Sequence, residues 1–382
     1  MKITLFLNET GLSGGIRIAL HFADQLRRKG HDVRLVSLPR PRLAGKALWK
    51  ARAKRSIKAV LGWREALRAL GRPSRRVSTS HLDLFEPFPH HELESFRPAT
   101  DADMPDADVV IATWWETALM AAAFAPSKGV KVHFFQQFDA NFGQPEAEVE
   151  RAWRLPAQKI VCAQWLADLA ARRFDDPTAI VVNNGIDLDH FDAPPRGKQP
   201  VPTVAVMYSG SAPKGWPTAL AVLNRARQHL PNLRILAFGA SAPYDGLPLP
   251  PGAEFDLLPS QDRIREIYSS ADVWLCASTS EGFHLPPHEA MACRTPVVST
   301  RVGGPMDMIT DGIDGFLVEP RDEEALYDRL VKALTLPEAD WRALSDRAYV
   351  TARGYTWEIA GDRFEAALQA AVHRDRGHAV AT

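Results

Sequence analysis

Cysteine is scarce in this 382-residue chain. Cys162, Cys276 and Cys293 form no CxxC pair and no metal-ligand spacing, which excludes a disulfide scaffold and a cysteine-based zinc or redox motif. Cys276 lies in the apolar run 273–277 and reads as a buried, reduced thiol. Long apolar runs are missing too. No uncharged stretch approaches the ~18 apolar residues that a spanning helix needs. The apolar start over 1–7 is broken by Asn8 and Glu9, too short for a secretory leader. These absences make the cytoplasm the expected compartment. Net charge is absent as well, since 46 Lys and Arg meet 46 Asp and Glu, so the molecule as a whole has no electrostatic bias.

What is present is ordinary globular composition, 46% hydrophobic. The length exceeds the ~250–300 residues at which one core stops growing, so two domains are expected. Apolar runs alternate with helix-period segments, the pattern of a parallel α/β sheet. In the first half, strands are expected over 3–7, 33–38, 109–113, 131–135, 159–162 and 180–183. A glycine loop over 11–15 and a helix over 16–29 follow the first strand. In the second half, strands are expected over 203–208, 234–238, 273–277, 296–300 and 315–318, with helices over 323–334 and 358–373. The proline-rich stretch 193–202 reads as a linker. The expected organisation is an N-terminal Rossmann-like domain over 1–195 and a C-terminal one over 196–355. A final helical segment over 356–382 would cross back to the first. A ligand is then expected in the crevice at the carboxyl ends of the strands.

The most informative segment is Glu281-Gly-Phe-His-Leu-Pro-Pro-His-Glu289. Pro286 suits the first helical position, where a missing N–H costs nothing. That placement predicts Glu289 in the first turn, complementing the positive helix end. The backbone N–H groups around Phe283, His284 and Leu285 would then point off that end toward a diphosphate. The two carboxylates bracket the loop, one for sugar hydroxyls and one for a ribose diol. His284 and His288 stand beside Glu289, but the intervening prolines break any His-Glu-x-x-His helix, and no metal site is expected. A nicotinamide dehydrogenase is discounted. Gly11-Leu-Ser-Gly-Gly15 lacks GxGxxG spacing, and no acid ends the second strand.

This segment resembles the Glu-x7-Glu signature of the family-four glycosyltransferases, retaining enzymes with the GT-B fold. Gly14-Gly15, Asn184-Gly-Ile-Asp187, Lys214-Gly215, Gly303-Gly304 and Asp311-Gly-x-x-Gly315-Phe-Leu-Val318 match in order. The resemblance implies an α/β, GT-B architecture with two Rossmann-like domains facing each other across a cleft. It implies hexosyl or deoxyhexosyl transfer, with retention, from a nucleotide-diphosphate sugar to a saccharide or lipid-linked acceptor. Neither a metal nor any cofactor beyond the sugar nucleotide is implied. Glu289 would hold the donor ribose and Glu281 a hydroxyl of the transferred sugar. Lys214 would neutralise the diphosphate and the leaving group. Gly14 and Gly15 would let backbone approach the phosphates. Phe283, His284 and Leu285 complete the expected donor site. Two departures stand out. Ser209 occupies the place of an arginine that usually pairs with the phosphate lysine, and Gln136 or Gln137 occupies that of a first-domain histidine. Trp114 and Trp115 follow a strand on the expected acceptor side, where they would stack on a sugar or simply pack. A sugar-nucleotide epimerase, a phosphorylase on the same fold, or a donor-binding protein without turnover are the rival readings.

Charge is balanced overall but not locally. Residues 40–76 hold 13 Lys and Arg against a single acid, Glu65, interleaved with Trp49, Ile57, Val60, Leu61, Trp63 and Leu67. This resembles an interfacial helix on anionic lipid, so a peripheral position on the inner membrane face is expected. The acceptor would then be lipid-linked, as in cell-surface polysaccharide assembly. A solvated excursion beside the cleft is the bland alternative. Nucleic acid is not an expected partner, because no binding fold accompanies the patch.

Overall fold

The computed structural model describes residues 1–11, 13–39 and 80–381. The expected membrane-facing segment 40–76 lies outside the described residues.

Two all-parallel sheets organise the chain. The first carries β1 (Lys2–Leu7), α1 (Gly14–Arg28), β2 (Asp32–Ser37), β3 (His90–Glu92), β4 (Val109–Ala112), α2 (Trp115–Ala121), β5 (Val130–Phe135), α3 (Glu146–Trp153), β6 (Gln158–Val161), α4 (Gln164–Phe174) and β7 (Ile180–Val181). Its strand order is β3-β2-β1-β4-β5-β6-β7. Strand period explains why its apolar runs are nearly continuous: successive side chains enter opposite layers, and both faces are covered. Ile3, Leu5 and Leu7 enter one core cluster while Phe6 enters the other; Val109 and Ile111 divide from Val110 and Ala112 in the same way.

The second sheet carries β8 (Thr203–Tyr208), α5 (Trp216–His229), β9 (Arg234–Gly239), β10 (Glu254–Leu257), α6 (Gln261–Ser269), β11 (Val273–Cys276), α7 (Leu285–Ala292), β12 (Val297–Thr300), α8 (Pro305–Met308), β13 (Phe316–Val318), α9 (Glu323–Thr335) and α10 (Glu338–Ala352). Its order is β10-β9-β8-β11-β12-β13. Each sheet reverses direction of winding beside its first strand, between β1 and β4 and between β8 and β11. Such switch points leave a crevice at the carboxyl ends of the strands.

The last helix, α11 (Trp357–Ala381), packs on the first sheet's helical layer. Trp357 stacks on His21 with centroids 4.2 Å apart, and Phe364 on Phe22 at 4.4 Å. Gly361 permits the approach, since a Cβ there would lie 2.8 Å from the Gln25 Cβ.

One expectation needs correcting here, and two strands were not expected. Gly14 and Gly15 are not a loop but the opening residues of α1. The Ser13 hydroxyl accepts the Ile16 N–H at 3.3 Å and caps the helix two residues before the expected start. Strands β3 and β10 carry no continuous apolar run, because each is an exposed or half-exposed edge, and only the neighbouring strand defines them.

Candidate active site

The chain leaves β11 through Ser278 and Glu281 and enters α7 at His284, whose φ of +73° is left-handed. That turn starts the helix at Leu285, so Pro286 is the second helical residue. A proline is tolerated there because first-turn N–H groups have no helical partner. Glu289 consequently falls beyond the first turn, which holds no acid, contrary to the sequence expectation. Its carboxylate instead accepts the Tyr268 hydroxyl at 3.0 Å. Burial pushes the Glu289 carboxyl above the usual range, opposed by the Arg17 charge and the Tyr268 bond.

Glu281 is 5% exposed and fully engaged. Both of its oxygens accept the Lys214 ammonium, each at 2.8 Å, and Oε1 also accepts the Ser278 hydroxyl at 2.7 Å. His284 Nδ1 lies 3.3 Å away. Burial raises this carboxyl, but the His284 and Lys214 charges prevail and hold it below the ordinary range. His284 is raised in turn: burial works against its charge, and Glu281 and Cys276 outweigh it. The Cys276 thiol, raised by burial, is brought down to about 7 by His284. Lys214 reaches Glu281 through Gly215, whose φ is +64° and whose Cβ would sit 1.9 Å from the Ala277 carbonyl oxygen. No other residue type fits that turn.

The opposite wall comes from the first sheet. Gln136 Nε2 donates to the Gly15 carbonyl at 2.9 Å, and Gln137 Nε2 donates to Asp139 Oδ1 at 2.9 Å. Asp139 is 2% exposed. Burial pushes it up to about 7, partly offset by Gln137 and the Trp115 N–H. The two walls touch. A Cβ on Gly282 would lie 1.9 Å from the Gln136 carbonyl oxygen, and the Trp165 indole donates to the Gly282 carbonyl at 2.9 Å. Phe283 is buried in a core cluster of the first sheet.

Between the walls lies a cleft of about 690 Å³. Gly14, Gly15, Lys214, Glu281, Phe283, His284, Leu285 and Glu289 all line it, as do Trp114, Gln136 and Gln137. Two expected residues do not. Trp115 turns back into the first sheet's core, and the Ser209 hydroxyl accepts the Ser211 N–H at 3.2 Å outside the lining. His288 is buried against Phe283 and Tyr355, and burial lowers it to about 3. Among the described residues no group of three or more His, Cys, Asp or Glu side chains could hold a metal ion. The sequence reading missed Arg17, Asp139 and Tyr268, which also line the cleft. Arg17 left a signal: it is the lone charge in the buried run Ile16 to Leu20, directly after the glycine pair.

Residues 203–335 match the family model described as Glycosyl transferases group 1. The chain is 30% identical over 222 residues to a D-inositol 3-phosphate glycosyltransferase of Mycolicibacterium paratuberculosis, covering 52% of this chain and 48% of that protein. It is 34% identical over 116 residues to a sucrose synthase of Acidithiobacillus caldus, covering 29% of this chain and 15% of that protein. The matches thus span half or less of these relatives' lengths. The fold is similar to that of the Anabaena protein HepE in complex with UDP-glucose, with TM-score 0.66 and 16% identity, over 97% of this chain and 100% of that one. The Glu281-to-Glu289 segment lies inside the match, so residues 203–335 are similar to the group 1 glycosyltransferases, and the two facing parallel sheets around it give the chain the GT-B fold.

Proposed function

We propose that the protein transfers a sugar from a nucleotide-diphosphate donor to a saccharide or lipid-linked acceptor, with retention. The observation that carries this reading is the Lys214–Glu281 pair at the start of α7, facing the glycine-opened start of α1 across one cleft. The diphosphate lies between the two helix starts, where unbonded N–H groups and Lys214 meet its charge. Glu281 accepts a hydroxyl of the transferred sugar, and Glu289, anchored by Tyr268, accepts the ribose diol. As the anomeric carbon–oxygen bond breaks, Lys214 stabilises the leaving diphosphate. The acceptor oxygen bonds the same face of that carbon, and its proton passes to the leaving phosphate oxygen. Trp114, Gln136 and Gln137 form the acceptor side. The basic segment 40–76 holds the enzyme at an anionic leaflet, where lipid-linked acceptors reside.

HepE binds UDP-glucose, so UDP-hexoses are the first donors to try. A panel of nucleotide sugars is screened by thermal stabilisation and slow donor hydrolysis, in EDTA. One donor class should stabilise the protein and release nucleoside diphosphate. Glu289→Gln should weaken nucleoside diphosphate binding about tenfold to over a hundredfold, the worth of a charged hydrogen bond. Glu281→Gln should lower kcat by a similar factor and leave that binding nearly unchanged. Wild-type turnover in both variants would overturn the reading.

A further inference from the structure

The charges in the cleft do not balance for an anionic ligand. Among the described residues its lining includes four acids, Glu9, Asp139, Glu281 and Glu289, of which burial raises Asp139 and Glu289, against two guanidinium or ammonium groups, Arg17 and Lys214, and the His284 ring held beside Glu281. Lys214 is already shared with both oxygens of Glu281. Of the guanidinium and ammonium groups, a diphosphate entering this site therefore meets one that is largely neutralised and one that is not.

Arg17 is the other. It stands on α1 two residues beyond Gly15 and is half-buried. Its Nη1 reaches the Gln261 amide oxygen across the cleft at 3.4 Å, a long bond between the two halves. Its Nε is buried with no hydrogen-bond partner among the described residues. A charged donor left unbonded away from water is costly, so a small rotation that bonds it to an incoming oxygen is favoured. The guanidinium fork matches paired phosphate oxygens, which Gln261 cannot supply.

We propose, resting on the donor reading above, that Arg17 is the phosphate ligand contributed by the first sheet. Its guanidinium leaves Gln261 and binds the donor diphosphate, opposite Lys214. The donor is then gripped from both halves at one group. The competing role is that Arg17 serves Glu289, whose carboxylate feels its charge. In that case it positions the ribose contact and touches no phosphate.

Calorimetry with two probes separates these roles. UDP and uridine, or ADP and adenosine if that pair binds better, are titrated into wild-type protein, Arg17→Met and Arg17→Lys, with melting curves to show that each variant is folded. Arg17→Met should lose tenfold or more in affinity for the nucleoside diphosphate and less than twofold for the nucleoside. Arg17→Lys should recover part of the loss, because a point charge replaces a fork. Equal weakening of both probes would assign Arg17 to Glu289 and overturn the proposal, as would unchanged binding of both. Failure of the wild-type protein to bind any nucleoside diphosphate would instead overturn the donor reading itself.

Discussion

His284 adopts a left-handed backbone at a position that favours glycine, a conformation costing roughly 1–2 kcal/mol for a residue with a Cβ. Its buried ring sits beside both Glu281 and Cys276, so side-chain electrostatics offset the backbone strain. Asp139 shows the same economy in titration. Its folded value of about 7 lies above the ordinary 3.8, so between those limits the folded chain holds a proton that the unfolded chain has lost. Asp139 therefore favours folding below about pH 4, and that contribution disappears as pH rises to about 7. Denaturation midpoints measured across this window should show wild-type stability falling relative to Asp139→Asn, by up to a few kcal/mol. A constant difference would place the proton elsewhere. The roles of Glu281 and Glu289 were suggested by sequence because a short segment presents both. Asp139 and Tyr268 were not, because their settings are made by residues far along the chain: the Trp115 N–H for one and Glu289 for the other.

At the scale of elements, apolar strands were legible, the edge strands β7 and β13 included, and the polar edges β3 and β10 were not. A strand covered on both faces is mostly apolar, so β1, β4 and β11 announce themselves. His-His-Glu in β3 has no such obligation. The start of α7 was placed one residue late for a related reason. Pro286 marks the first turn but does not say which position within it, and the choice was made by the backbone of His284. The turn before α5 is a sharper case. Gly215→Ala would add left-handed strain and drive a Cβ into the Ala277 carbonyl, which is bound to the loop leading to Glu281. We expect a loss of stability above ~1–2 kcal/mol, from strain alone. Nucleoside diphosphate affinity should fall with it, since Lys214 is displaced. Melting and binding curves check both.

For the whole molecule, two sheets could be read from alternation and length, but not the way the halves meet. That contact depends on single close approaches, Gly282 against the Gln136 carbonyl and the Trp165 indole on the Gly282 carbonyl. Trp165→Phe removes one hydrogen bond and keeps most of the packing, a change worth about 0.5–1.5 kcal/mol. If this bond holds the donor loop against the first sheet, KM for the donor should rise several-fold with kcat less affected. Scattering should also report a more open average shape. Unchanged KM and shape would show that apolar packing alone holds the halves together.

The burial of Phe283 in the first sheet's core also limits how such enzymes can be recombined. A hybrid joining this second sheet to the first sheet of a relative would bring a phenylalanine to a socket shaped for another partner, at the loop between Glu281 and Leu285. On the donor reading proposed above, donor preference does not travel with the second half alone. To move it, the segment around Phe135 to Asp139 has to travel with Gly282 to Leu285, although about 140 residues separate them in the chain.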